Sequence, residues 1–583
     1  MSHHFNLNPF INDSTRIEED PEPIYRLRPL TPSRQISPET LRAVTQFSRH
    51  NESPVTAQPG IRQIQAVTAV WSRNHLIIAY ILGALTPYVT SAFSEHYMTA
   101  YTSVMSGVVG GVFKIPLAKV IDIFGRSQGF GFMTAFLIIG LIMMTSCRTI
   151  HIYAASQVFY WVGYNGMSYI LTIFVADTSS LKTRGLMLAY TSSPYLITTW
   201  ITGPLAQAFL RGPGWRWAFA TFAIMTFVAA VPLLFLLWWN YRKAVEKGLI
   251  LIERRECTFC GKLRYYATEF DIGGLMLLTA ALTFILLPFS LYHSQVHMLQ
   301  SPLVISFLAV GGFLIIAFVL YETYVTPKTF IPYNLLLDPT ILGACVLSCV
   351  LFVSYYIWNG YFSSFLQVVL DLQVTQATYI VNIYTLASCL WSLVVGAAIL
   401  WSYRFKWIAL YFGVPLNMLG VGFMIYFRQS ENATLGRVIM SQLFIGFAGG
   451  ALVITEQTAV MAAAGHEHVA VIIAVESMFS SIGGAIGSSI AAGMWTSLFP
   501  KFLAERLPED QMVHLTEISG SLVVQLKFPK GDPTRAAIDY AYGKAQFWMA
   551  IGATCALLLT IPAVIVWRDI KVNNFTQSKN RVV

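Results

Sequence analysis

The chain has 583 residues, of which 55% are hydrophobic and 11% are charged, and its mean hydropathy is +0.58. Because a soluble domain carries about 25% charged residues, this composition argues against a soluble enzyme or a nucleic-acid-binding domain. The formal net charge is +9 at pH 7, and the basic residues concentrate in links between apolar stretches, where they face anionic lipid rather than nucleic acid.

Residues 1–70 are polar, charged and proline-containing, so we expect a disordered cytoplasmic tail without a signal peptide. From about residue 75 to residue 567 the chain is a series of apolar stretches, each long enough to cross a hydrocarbon core of ~30 Å as a helix. They are too long for barrel strands, and lipid leaves only helices or closed barrels as spanning structures. About fourteen transmembrane helices are therefore predicted. They lie at 75–94, 97–118, 128–146, 151–175, 185–209, 217–239, 271–291, 302–321, 340–362, 376–402, 407–427, 437–461, 470–497 and 545–567.

The spans divide the chain into consecutive units. These are an N-terminal helix bundle at 71–239, a cytoplasmic link at 240–270, spans seven to thirteen with the C-terminal bundle at 271–497, a long exofacial loop at 498–544, the last span at 545–567 and a cytoplasmic tail at 568–583. Lysine and arginine favour the links on the side of both termini, which the positive-inside rule assigns to the cytoplasm. This orientation puts Asn432, in the sequon Asn432-Ala433-Thr434, outside and predicts its glycosylation. The cytoplasmic link carries a lone Cys257-x-x-Cys260 pair, from which we predict no metal site.

Three carboxyl groups are candidates for proton coupling, because ionisable residues inside a membrane are costly and usually functional. Glu456 lies within span twelve, Glu476 in the cytoplasmic half of span thirteen, and Glu95 at the exofacial end of span one. For Glu456, a proton site and a helix–helix hydrogen bond are equally consistent with the sequence.

Polar and aromatic residues crowd two spans. Tyr164 and Asn165 lie too near the centre of span four for an interfacial belt. Span nine carries Tyr355, Asn359 and Tyr361. A cavity lined by these five residues would bind a large, polar, neutral or anionic solute.

The link after span two contains Asp122, Gly125 and Arg126. It resembles the signature loop of the major facilitator superfamily, Gly-x-x-x-Asp-Arg-x-Gly-Arg, with Ala118 in place of the first glycine and Ile123 in place of the first arginine. Glycine permits the tight turn, and the Asp122 and Arg126 side chains can pair across neighbouring helix ends and gate the inner face. The resemblance implies two pseudo-symmetric six-helix bundles plus two extra helices.

With the long last exofacial loop, the chain resembles the fungal siderophore-iron transporters, a fourteen-span branch of that superfamily. The loop carries a Pro529–Gly531 turn and, before the last span, Arg535 and the stretch from Ile538 to Tyr542. The resemblance implies import of intact ferric siderophores by proton symport and alternating access, at a fungal plasma membrane or an endosomal or vacuolar membrane. It suggests that Arg535, Tyr540 and Tyr542 contact the siderophore, and that iron enters only within the substrate, without a cofactor.

Other functions remain open at this stage. A fourteen-span drug or glutathione:proton antiporter has the same plan, and a non-transporting nutrient sensor shares the scaffold. The expected partners are the ferric siderophore, protons and the lipid bilayer, with no nucleic acid, and the expected state is a monomer. An enzyme is not expected, because no nucleophile–base or metal-ligand cluster stands out.

Overall fold

The computed structural model describes residues 107–572, with gaps at 115, 119, 121–125, 180, 247–267, 269–270, 292–301, 327–335 and 465–468. Every regular element in this part of the chain is helical. The helices are α1 (Gly107–Ala118), α2 (Arg126–Ser146), α3 (Ile150–Thr178), α4 (Leu181–Thr191), α5 (Tyr195–Arg211), α6 (Trp215–Glu246), α7 (Ile272–Leu291), α8 (Pro302–Tyr324), α9 (Pro339–Asn359), α10 (Phe362–Val368), α11 (Val374–Ser402), α12 (Lys406–Phe427), α13 (Leu435–Ala463), α14 (Val469–Ala504), α15 (Leu515–Gly520), α16 (Leu522–Gln525), α17 (Pro533–Leu557) and α18 (Thr560–Ile565).

Nine helices within the described residues are long and apolar enough to cross a membrane. They confirm the prediction of an all-α polytopic membrane protein. Span one lies outside the described residues and span two is described only as α1, so the total of fourteen spans stays a prediction.

The predicted span at 185–209 is broken into α4 and α5 by a turn at residues 192–194. Pro194 has no N–H to donate and its ring excludes a continuous helix. The amides of Ser192 and Ser193 instead bond to the carbonyls of Ala189 and Tyr190, three residues back. The predicted span is therefore two shorter helices rather than one.

The predicted exofacial loop at 498–544 is shorter than expected. Helix α14 continues to Ala504, and α17 begins at Pro533 rather than at 545. The side chain of Asp532 accepts a hydrogen bond from the amide of Thr534, and Pro533 occupies the first turn; these are two helix-start signals. The stretch from Ile538 to Tyr542 therefore belongs to the first part of α17 and not to the loop.

Helices α9 and α14 form one of the closest pairs of the fold. A Cβ on Gly483 would lie 2.2 Å from the carbonyl oxygen of Cys349, and one on Gly487 would lie 2.5 Å from that of Val353. Two glycines four residues apart allow this approach, as in other membrane helix pairs.

The N-terminal half of the chain, α1–α6, packs against the C-terminal half, α9–α18, along two seams. Helices α4 and α5 both pack along α11, and α1 contacts α14. Helices α7 and α8 pack on each other, and α7 also contacts α14. Polar residues lie near the contact between α1 and α14 and near other contacts between the two halves.

Candidate functional site

Two of the predicted coupling residues, Glu456 on α13 and Glu476 on α14, lie in one buried polar cluster. Their exposed fractions are 1% and 3%. The hydroxyl of Ser348 on α9 lies 3.3 Å from Oε1 of Glu456 and 2.9 Å from Oε1 of Glu476. A second hydroxyl, that of Ser480, lies 2.6 Å from Ser348 Oγ. Helix α9 and the two consecutive helices α13 and α14 thus bring two carboxyl groups to the same serine.

The hydrogens of this cluster can be counted. Close contacts join Ser348 Oγ to Glu456, to Glu476 and to Ser480, and join Ser480 Oγ to Oε1 of Glu476. The two hydroxyls supply one hydrogen each, so two ionised carboxylates would leave oxygen–oxygen contacts without a hydrogen. A proton on either carboxyl supplies another donor. Oε2 of Glu456 has no hydrogen-bond partner among the described residues. The arrangement is suited to holding a shared proton.

Lys114 on α1 completes the cluster from the other half of the chain. Its Nζ donates to the carbonyl oxygen of Ser477 at 3.0 Å and to Oγ of Ser481 at 3.1 Å, and its charge interacts with that of Glu476. The side chain is 8% exposed. Neither Lys114 nor Ser348 is among the residues predicted from the sequence, although a lysine in an apolar span is itself a functional signal.

Some of the predicted solute-lining residues lie close to one another or to other tyrosines. Tyr164 Oη on α3 lies 3.4 Å from Tyr195 Oη on α5, and Asn359 Nδ2 on α9 donates to Tyr355 Oη at 3.1 Å. Asn165 lies beside Tyr164 on α3, and both are half-buried. Tyr356, also on α9, is close enough to Tyr164 for their hydroxyls to interact electrostatically. Of these groups, Tyr164 on α3 and Tyr356 on α9 approach each other from the two halves.

Tyr361, also predicted as a solute-lining residue, is placed apart from this set. It is 5% exposed, and its ring is stacked on Trp495 with centroids 4.1 Å apart. The turn between α9 and α10 carries Tyr361 away from Tyr355 and Asn359 and into the packed core of the C-terminal half.

Arg535 is likewise placed differently from the prediction of a substrate contact. Its side chain is 2% exposed, and Nη2 donates to the carbonyl oxygen of Val368 at 2.6 Å. Nη1 donates to the carbonyl oxygens of two loop residues, at 3.1 and 2.9 Å. The carboxylates of Asp371 and Asp539 lie 3.4 and 3.5 Å away. Arg535 fastens the loop to the end of α10, because an arginine at the start of a helix can reach several unsatisfied carbonyls at once.

The two tyrosines of the same stretch differ from each other. Tyr542 is 1% exposed and donates to Oε1 of Gln525 at 2.8 Å, so in this conformation it packs inside the protein. Tyr540 is half-buried, and the Arg506 guanidinium lies 3.8 Å from its ring centroid. Of Arg535, Tyr540 and Tyr542, Tyr540 alone keeps an accessible surface.

Four predicted site residues lie wholly or partly outside the described part of the chain. Glu95, Asp122 and Gly125 lie outside the described residues, and Arg126 begins α2 with a side chain that is not described. Asn432 lies half-buried in the link between α12 and α13, and its glycosylation stays a prediction.

Comparisons with known proteins agree with this architecture. A sequence model of the Major Facilitator Superfamily matches residues 74–488. The chain is 54% identical to "MFS siderochrome iron transporter 1" of Ajellomyces capsulatus, over 90% of this chain and 92% of that protein. It is 40% identical to "MFS siderochrome iron transporter B" of Aspergillus fumigatus, over 90% and 87%. It is 37% identical to "Siderophore iron transporter mirB" of Emericella nidulans, over 90% and 89%.

Solved structures give the same fold. The POT family transporter PepTSo is 14% identical, with a TM-score of 0.50 over 88% of this chain and 99% of that chain. An inward-facing bacterial homologue of the human lysosomal transporter Spinster is 12% identical, with a TM-score of 0.50 over 88% and 98%. The chain therefore belongs to the major facilitator superfamily of membrane transporters, and within it to the family of fungal siderophore-iron transporters.

Proposed function

We propose that this protein imports intact ferric siderophores by alternating access, driven by proton symport. The substrate class is supported by the names of relatives that are up to 54% identical over 90% of the chain. Proton coupling rests on one observation: Lys114 from the N-terminal half and Glu456 and Glu476 from the C-terminal half belong to one buried cluster.

The charge of this cluster gives a reason for coupling. With both carboxyls ionised and Lys114 charged, the cluster carries one net negative charge in a low-dielectric interior. One proton makes it neutral, which lowers the free-energy cost of keeping it buried while the helices rearrange. Because Lys114 is bonded to α14, loading and releasing that proton changes how strongly α1 and α14 hold together. Protonation from outside would thereby favour reorientation with substrate bound, and proton release inside would reset the carrier.

The substrate would bind between the two halves. Tyr164 and Asn165 on α3 and Tyr355 and Asn359 on α9 offer hydroxyl and amide groups that suit the carbonyl and hydroxamate or catecholate oxygens of a siderophore shell. The siderophore holds the iron, so the carrier needs no cofactor of its own. Tyr540 would meet the complex at the exofacial surface. Alanine substitutions at these positions are expected to raise the KM for uptake; unchanged KM values in all of them would remove this set from the substrate path.

Uptake of radioactive iron tests the proposal. The protein would be expressed in yeast lacking its own siderophore carriers and supplied with hydroxamate and catecholate ferric siderophores, with and without a proton uncoupler. Saturable uptake of a complex that the uncoupler abolishes is the expected result. Surface labelling shows whether the protein reaches the plasma membrane as proposed, or a vesicle membrane, in which case isolated vesicles are assayed.

The competing functions give different results in the same cells. Protein at the surface that takes up no ferric siderophore, but lowers the cellular content of a drug or of glutathione in exchange for protons, is an antiporter. Protein that moves none of these solutes, yet changes the cell's iron response, is a sensor. Either result overturns the proposal. The carrier is expected to act as a monomer, which the mass of the detergent-solubilised protein checks.

A further inference from the structure

A further buried cation lies at the predicted exofacial end of the C-terminal half. Arg428 ends α12 and is only 1% exposed. Its Nη1 donates to the carbonyl oxygen of Trp358 at 2.5 Å and to Oε1 of Gln546 at 2.7 Å. Its Nε and Nη2 have no hydrogen-bond partner in the described part of the chain, and neither does Nε2 of Gln546, which is fully buried. Unused N–H donors are thus gathered in one buried place.

The charge of Arg428 is also uncompensated. Arg535, a similarly buried arginine of the same end, has the carboxylates of Asp371 and Asp539 within 3.5 Å. Within the described ranges, no ion pair joins Arg428 to a carboxylate. A buried guanidinium without a counter-charge carries a desolvation cost of several kcal/mol. Neutral acceptors such as the Trp358 carbonyl do not remove it.

Two aromatic rings and an amide surround the guanidinium. The ring of Phe362 covers the face of the guanidinium, 4.0 Å away, and the ring of Trp358 lies 5.4 Å away. The N–H bonds of a guanidinium lie in its plane, so a stacked ring leaves them free at the edge. Gln546 already uses its oxygen for Arg428, which leaves its amide N–H groups to donate.

We propose that Arg428 and Gln546 form a binding site for one small monovalent inorganic anion of the halide class. The site offers donors from a cation and an amide and is closed by aromatic rings, so it selects a compact anion over a bulky one. Trp358 also contacts Tyr355 and Tyr384, with ring centroids 5.1 and 5.9 Å away. The anion therefore lies one side chain behind the proposed solute-lining residues, although its binding does not depend on the proposed transport function.

The test measures the Tm of the purified full-length protein in detergent while sodium gluconate is replaced by sodium chloride or sodium bromide at constant ionic strength. We expect a saturable rise of the Tm with halide. Arg428→Gln removes the cation and should lose the rise. Arg437→Gln, which changes an exposed arginine near the same end, is the matched control and should keep it.

A halide-independent Tm of the wild-type protein, or an equal rise in Arg428→Gln, overturns the proposal. If Arg428→Gln does not fold, Gln546→Leu keeps the cation but removes one donor, and the halide concentration giving half of the Tm rise should increase at least tenfold. Bromide soaked into crystals of the wild-type protein gives a direct readout. Its anomalous scattering should peak beside Arg428 and Gln546, and its absence there contradicts the site.

Discussion

Lys114 and Ser477 join the two halves of the chain: the ammonium group on α1 donates to the backbone carbonyl oxygen on α14 at 3.0 Å. The next residue back from Ser477 is Glu476, whose carboxyl group shares the hydroxyl of Ser348 with Glu456. A change of charge at the glutamates therefore acts directly beside a contact between the halves. This proximity is the physical basis for coupling a proton to their relative movement.

Glu456→Gln should reduce accumulation of the ferric siderophore but leave its exchange across the membrane intact. The amide has nearly the shape of the carboxyl group but cannot bind or release a proton in the transport cycle. We expect uncoupler-sensitive accumulation of the ferric siderophore to fall at least tenfold, while exchange of labelled for unlabelled complex across vesicles continues. Loss of exchange together with accumulation, in a variant with wild-type Tm, would contradict a coupling role.

Ser348→Ala should shift the pH profile of uptake. The hydroxyl stabilises ionised carboxylates by donating to them, and a hydrogen bond to a charged group is worth about 1.5–3 kcal/mol. Its loss favours the protonated cluster, so uptake should persist to higher pH than in the wild-type protein. Ser354→Ala on the same helix removes a buried hydroxyl that has no hydrogen-bond partner in the described residues. Its pH profile should match the wild type, and an equal shift in both variants would exclude a specific role for Ser348.

Arg535→Gln should destabilise the protein. It removes a buried guanidinium that bonds to three backbone carbonyls and lies near the half-buried Asp539 and the exposed Asp371, and a hydrogen bond to a charged group is worth about 1.5–3 kcal/mol. Thermal unfolding of the solubilised protein should show a lower Tm. Lys527→Gln, at an exposed lysine of the same loop, should change stability by no more than about 0.5 kcal/mol. A variant with wild-type Tm and a raised KM would restore Arg535 as a substrate contact.

Gly487→Ala should separate α9 from α14. The added Cβ would lie 2.5 Å from the carbonyl oxygen of Val353, so the helices must move apart, at a cost of about 1–3 kcal/mol. Gly422→Ala on α12 adds the same methyl group where nothing lies within 4 Å, and alanine favours the helix. We expect a lower Tm for the first variant only. Equal Tm values would show that the contact between α9 and α14 tolerates a larger residue.

Two carboxyl groups of the candidate site were predicted from the sequence. Glu456 and Glu476 stand out because carboxyl groups in apolar spans are costly, and this follows from sequence alone. Their shared contact with Ser348 depends on how α9, α13 and α14 pack, and no local sequence pattern predicts that packing. The resemblance suggested that Arg535 and Tyr542 contact the siderophore, yet both side chains are buried, and backbone carbonyls and nearby carboxylates satisfy the arginine.

The sequence by itself determined the class of protein and the approximate span boundaries, because hydropathy, helix-start residues and proline breaks act over one or two helical turns. Only the tertiary structure decided which polar groups share a cluster, which face lipid or solvent, and that α17 begins inside the expected loop. Those outcomes depend on contacts between helices hundreds of residues apart in the chain, such as Lys114 with Ser477, and on the burial of each side chain within them.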